Sequence, residues 1–210
     1  AFSSHKERAI VGLVGTGGVG KTTLARAYAR AHPASIVWEL NAERAETLLS
    51  TFNDLACHLA QSSEQKTALS EINALQDAPK HRKCLIQFVQ DLLQKQSSWL
   101  FIFDNVDDLS LCRPFLPNRS WGEGKVILTT RNQNMKQSPL ISSVLDVGEL
   151  SEEEAFILFV TLFMGKDSSQ LSIEKRQSIQ AFLAQIPRYP LDISLAANYI
   201  RDANLSFDHY

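Results

Sequence analysis

Apolar residues fall first into short unbroken runs and later into helical periods, and the change of period divides the sequence. AIVGLV (9–14), SIVWEL (35–40), SWLFIF (98–103) and KVILTT (125–130) have strand length and little alternation. That is the pattern of parallel strands covered on both faces. Val144 to Val147 predicts a last strand. Between the runs, Lys21 to Ala31 is alanine- and arginine-rich and closes at His32-Pro33, which predicts a helix. Leu48, Leu49, Phe52, Leu55, Ala56 and Leu59 recur at helical spacing and predict a helix reaching about Ala60, with Asn41 as its cap. Residues 61–83 turn polar and read as a partly helical insertion without chemistry. A helix from about Arg82 to Gln96 then turns Leu85, Ile86, Phe88, Val89, Leu92 and Leu93 inward. Pro114 and Pro117 break the segment after the third strand, and 121–124 is a turn. The expected class is α/β, a parallel sheet of about five strands flanked by helices.

Beyond residue 148 the pattern is helical only. Ser151 with Glu154 three residues on matches a capping box. Ala155 to Phe163 (AFILFVTLF) is apolar nearly all round and predicts a buried helix, at about half the ~20 residues a membrane span needs. Two more helices, roughly 173–186 and 191–203, are separated by IPRYP, with Pro187 and Pro190 as breakers. The expected division is therefore 1–148, an α/β domain, and 149–210, a small all-helical subdomain. AFSSHKERA is too polar for a signal peptide, and no membrane segment is expected. A start without methionine and an end soon after a helix suggest a piece of something longer.

The candidate chemistry lies between the first strand and the first helix. Gly15 to Thr22, GTGGVGKT, fits G-x-x-x-x-G-K-S/T at every fixed position, in a strand-loop-helix context. Gly15, Gly17, Gly18 and Gly20, with Thr16 and Val19 between them, let successive backbone N–H groups turn around an anion. The helix beginning near Lys21 adds its dipole. Lys21 is expected to reach the β- and γ-phosphates, Thr22 to ligate Mg²⁺, and Thr23 to contact the α-phosphate. The opposing reading is a glycine-rich turn with a chance lysine, which the full pattern in this context argues against.

SWLFIF ends on Asp104, where a carboxylate holds a hydrated Mg²⁺ through water from the side opposite Thr22; the plain structural role is a helix cap. KVILTT ends on Arg131, which the spacing alone leaves open between a γ-phosphate contact and a solvated arginine starting a loop. His58 and Cys57 have no partners at metal spacing nearby.

In 210 residues, 44% apolar content is ample for a core, and a formal charge of −2 supplies no attraction for nucleic acid or an anionic membrane. Three cysteines, Cys57, Cys84 and Cys112, are widely spaced and odd in number, which points to a reducing cytoplasmic setting.

In this order the motifs resemble the NB-ARC nucleotide switches of the STAND class of P-loop ATPases. GTGGVGKTTLA resembles their phosphate loop, WLFIFDNVDD their Mg²⁺-binding strand, KVILTTR their sensor strand and LSEEEAFILF the acidic-then-apolar helix beyond it. IPRYPLDISLAANYI resembles the segment written GLPL, with Pro190-Leu191 kept and the glycine lost. The resemblance implies ATP or ADP with Mg²⁺ as ligands, Lys21, Thr22 and Asp104 in the phosphate and metal roles, Arg131 on the γ-phosphate and Pro190 against the base. His5 and Arg8 precede the first strand, where members place an adenine-contacting stretch, without a clean match. It also implies further parts of the same chain, a winged-helix domain and a repeat sensor, and a homo-oligomer in the ATP state.

One departure bears on catalysis. Members commonly carry a second acidic residue after the metal-binding one; here it is Asn105. An amide holds water but does not accept its proton. Asp107 and Asp108 are expected on the turn beyond. The expected function is a regulatory switch with slow Mg-dependent ATP hydrolysis at most. Two other readings share the loop: a continuously cycling initiator- or motor-type ATPase on nucleic acid, opposed by the charge and by Asn105, and a small-molecule kinase, which the helical tail fits poorly.

Overall fold

In the computed structural model of the chain, residues 10–165, 171–203 and 205 are described, Arg119 by its backbone alone. The chain divides into two compact units, Ala1–Val14 with Thr22–Asp146, and Gly15–Lys21 with Val147–Tyr210.

The first unit is built on five parallel strands, β1 (Ile10–Val14), β2 (Ile36–Asn41), β3 (Trp99–Asp104), β4 (Gly124–Thr130) and β5 (Ser143–Asp146), in the order β2-β3-β4-β1-β5. Parallel neighbours require crossovers, and helices supply them. These are α1 (Lys21–Ala31), α2 (Ala45–Leu59), α3 (Ser63–Asn73), α4 (Ala78–Leu93) and the short α5 (Leu109–Cys112). Every residue of β1 is buried, as are the first five of β3, which is why their sequences are apolar without alternation.

On one face of the sheet, Phe101, Phe103, Val126 and Leu128 meet Leu48, Phe52, Leu55 and Leu59 of α2 and Leu85, Val89 and Leu93 of α4. Phe52 is wholly buried and meets Phe115 edge-on, ring centroids 4.9 Å apart at 64°. Its truncation to alanine is therefore worth about 3–5 kcal/mol. Trp99 closes the bottom of the core, its Nε1–H donating to the Trp121 carbonyl at 2.9 Å. On the other face, Val11, Leu13 and Ile127 lie opposite Leu24, Ala25 and Tyr28 of α1.

Two local expectations are corrected, at the start of α2 and at the ends of α4, and the partly helical reading of 61–83 is borne out. Asn41 is the last residue of β2, paired with Asp104, and Ala42 N–H extends the ladder to the Asp104 carbonyl at 2.8 Å. The strand thus runs past the expected cap, and Arg44 occupies the cap position of α2. Within 61–83, Ser62 and Gln65 form a capping box for α3, and Leu69 anchors it in the core. Asp77 caps α4, its side chain accepting from Lys80 N–H at 3.0 Å, with proline in the first turn, so α4 starts and ends earlier than expected.

The second unit holds α6 (Glu152–Met164), α7 (Ile173–Leu183) and α8 (Pro190–Ala203). The capping box is present: Glu154 N–H donates to Ser151 Oγ at 3.3 Å, and Ser151 N–H to Glu154 Oε2 at 2.8 Å. Phe156, Phe159 and Val160 of α6 pack with Ile179, Phe182 and Leu183 of α7 and Ile193 and Ile200 of α8. Ala155, Ala196 and Ala197 are buried in the same cluster, small enough for close helix approach. Full burial of α6 is not observed, since Ile157 is 55% exposed. Pro190 does not merely break a helix; it opens α8, where its missing N–H is not needed.

Candidate nucleotide site

Gly15 to Gly20 form an irregular loop between β1 and α1, and Gly18 and Gly20 sit at φ 79° and 91°. Residues with a Cβ rarely adopt that region. Lys21, the first residue of α1, is 7% exposed and folds back over the loop, Nζ donating to the Gly15 carbonyl at 2.9 Å and the Thr16 carbonyl at 2.7 Å. Val19 is buried.

The start of α8 closes on the same loop. Leu191 N–H donates to the Gly18 carbonyl at 3.2 Å. A Cβ at Gly18 would stand 2.9 Å from Leu191 Cβ, and one at Gly20 3.7 Å from Pro190 Cγ. Pro190, expected against the base, thus lies beside the glycine loop.

In the first unit, Thr22, the second residue of α1, donates from Oγ1 to Asp104 Oδ1 at 2.6 Å. Asp104 is half-buried at the carboxyl end of β3. Thr129 of β4 donates from Oγ1 to the same oxygen, also at 2.6 Å. Its hydroxyl accepts Asn105 N–H at 3.0 Å, and its carbonyl accepts Val106 N–H at 2.8 Å. Asn105 stands exposed at φ 58°, a left-handed conformation that asparagine tolerates better than most residues. Arg131 is exposed just past β4 and makes no hydrogen bond or ion pair among the described residues. Thr23 is exposed on α1. His5 and Arg8 lie outside the described residues.

Beyond Asn105, Asp107 is exposed, and Asp108 is committed elsewhere. Asp108 caps α5, accepting from Ser110 Oγ at 2.6 Å and Ser110 N–H at 2.8 Å; the hydroxyl bond first and the backbone bond second hold its carboxyl below the ordinary range. Cys112 is buried, and desolvation pushes its thiol up to about 12. It stays protonated and packs as a small apolar residue. Arg26 forms a bidentate pair with Glu39 at 2.6 and 2.7 Å, tying α1 to β2.

Thr22 and Asp104 offer hard oxygen donors and a single carboxylate, a set that suits Mg²⁺ taking its remaining ligands from phosphate and water. Among the described residues no three His, Cys, Asp or Glu side chains gather to hold a metal.

Sequence reasoning does not single out Thr129. The available signal is a threonine pair at the end of an otherwise apolar strand, where a buried hydroxyl needs a partner.

A parallel sheet with a glycine loop after β1 and an acid closing β3 defines a P-loop NTPase. Within that class the chain belongs to the NB-ARC domain family, whose model matches residues 2–169. It is 30% identical over 152 residues to Disease resistance protein RPV1 of Vitis rotundifolia, covering 71% of this chain and 10% of that protein. To Disease resistance protein RUN1 of the same species it is 27% identical over 154 residues, covering 71% and 11%. The chain therefore spans about a tenth of the length of these relatives. Its fold is shared with a Signal Transduction ATPase with Numerous Domains (STAND) protein with a tetratricopeptide repeat sensor from Pyrococcus horikoshii, at TM-score 0.51 and 16% identity over 93% of this chain and 28% of that one. No helix among the described residues is long and apolar enough to cross a membrane.

Proposed function

We propose that the chain is the ATP/ADP switch module of a STAND-type signalling protein, in which nucleotide exchange controls a closed against an open or oligomeric state, with slow or no hydrolysis. In this reading 1–148 bind nucleotide and 149–210 report on it. The observation that carries it is the bond from Leu191 N–H to the Gly18 carbonyl, which makes the first turn of α8 sensitive to the shape of the phosphate loop.

Lys21 neutralises phosphate charge and, with the loop N–H groups, binds either nucleotide. Thr22 and Asp104 hold Mg²⁺, which supplies charge neutralisation to the phosphates. Arg131, exposed and without a protein partner among the described residues, is the group that distinguishes ATP. A charge-assisted bond is worth about 1.5–3 kcal/mol, so one such contact to the γ-phosphate supplies about 10- to 150-fold between nucleotides. That difference is what a two-state element requires.

Slow hydrolysis is the consequence of Asn105 with Asp108 engaged as a cap. The amide orients water without taking its proton, and general-base assistance is worth about 10²–10⁴-fold. The cytoplasmic setting, the winged-helix and repeat domains and the ATP-state oligomer belong to the same proposal.

Single-turnover ATP hydrolysis tests it, together with the nucleotide that co-purifies. ADP that survives dialysis is expected, with hydrolysis in Asn105→Asp at least about 10²-fold faster than in the parent. A parent rate equal to that of the variant overturns the proposal.

A further inference from the structure

Two hydroxyls hold Asp104, and only one belongs to the phosphate loop motif. Thr129 Oγ1 reaches Asp104 Oδ1 at 2.6 Å from β4, the strand paired directly with β3. The residue is 0% exposed, so its geometry is set by the sheet. A threonine hydroxyl has one proton to give, and Thr129 gives it to the carboxylate. It takes Asn105 N–H on the same oxygen. One hydroxyl therefore fixes both the acid and the backbone that departs from it.

We infer that Thr129 is a positioning residue of the Mg²⁺ site, acting through its hydroxyl and not its volume, and setting the orientation of the Asp104 carboxylate and the left-handed backbone of Asn105. This rests on the reading of Thr22 and Asp104 as Mg²⁺-nucleotide ligands. Carboxylate torsions are broad, so one further fixed donor narrows them substantially. Thr22 belongs to the metal set itself. Among the described residues the bonds of the Thr129 hydroxyl go to Asp104 and Asn105 alone, which makes it a supporting partner. Removing such a partner costs about 10- to 100-fold in metal affinity. The strand that leads into Arg131 thereby also supports the metal-binding acid, through a residue two positions earlier.

The test measures ADP affinity of the intact chain in Mg²⁺ and in EDTA, for the parent, Thr129→Val and Thr129→Ser. Valine keeps the shape and loses the hydroxyl; serine does the reverse. In Thr129→Val the gain in affinity that Mg²⁺ confers is expected to fall by about tenfold or more, with the EDTA affinity unchanged. Thr129→Ser is expected to keep the parent's Mg²⁺ dependence. A packing role predicts the opposite order and equal losses in both conditions. Parent-like Mg²⁺ dependence in Thr129→Val, or equal loss with and without metal, overturns the inference alone. A parent whose nucleotide affinity ignores Mg²⁺ overturns it together with the reading beneath it. Should Thr129→Val fail to fold, Thr129→Ser against Thr129→Ala reads the same difference, and identical Mg²⁺ dependence in that pair overturns the inference.

Discussion

Replacing Gly18 by alanine separates the two demands on that residue. At φ 79° the left-handed backbone alone costs an alanine about 1–2 kcal/mol. Its Cβ would then lie 2.9 Å from Leu191 Cβ and 3.2 Å from Leu191 Cδ2, closer than such atoms approach, so the loop or α8 must shift. Overpacking of this kind adds about 1–3 kcal/mol, for a total of about 2–5. Gly20→Ala is the control. Its φ of 91° carries the same backbone cost, but the new Cβ would sit 3.7 Å from Pro190 Cγ, an ordinary contact. The difference between the two variants, about 1–3 kcal/mol, measures the contact with α8. Because the clash is with Leu191 Cβ, Leu191→Ala leaves it in place, whereas Leu191→Gly removes it. Urea unfolding monitored by circular dichroism reads all four variants and Gly18→Ala paired with each of Leu191→Gly and Leu191→Ala. Equal destabilisation by Gly18→Ala and Gly20→Ala would refute the reasoning, as would rescue by Leu191→Ala.

Arg131→Ala is expected to weaken ATP binding about tenfold or more and leave ADP affinity unchanged; titration with both nucleotides checks it, and equal losses contradict the γ-phosphate role. The Glu154 carboxyl is held below its ordinary value near 4.5, first by Ser151 N–H and then by the Ser151 hydroxyl. Its contribution to stability is present above that value and lost as pH falls through the lowered folded value. The urea midpoint of the parent should therefore exceed that of Glu154→Gln near neutral pH and converge with it as pH falls through the lowered folded value; a constant gap speaks against the capping bond.

The loop, the strands and Asp104 are legible in the sequence because their signals are local: apolar runs of strand length, and a fixed spacing of glycine, lysine and threonine. Thr129 is not, because its role depends on β4 lying next to β3, a matter of strand order that no short window contains. The end of β2 escapes for a related reason, since pairing with β3 outweighs the capping preference of Asn41. The start of α4 at Asp77 carries a local cap and proline, but the polar stretch around it hides them. From Ala155 to the end of α6 nearly every position is apolar, so the period that would separate exposed Ile157 from buried Phe156 and Phe159 is absent.

β4 is bonded along both edges, from Ile10↔Val126 to Val14↔Thr130 on one side and from Trp99↔Gly124 to Phe103↔Leu128 on the other. A strand clamped in this way does not slide, because a shift of register breaks two ladders at once and turns every side chain to the wrong face. Past Thr130 the chain leaves both ladders: Arg131 is exposed, and the 3-10 turn Gln133–Gln137 that follows is anchored by buried Met135. In the proposed switch, the fixed strand makes Arg131 the place where a third phosphate would act.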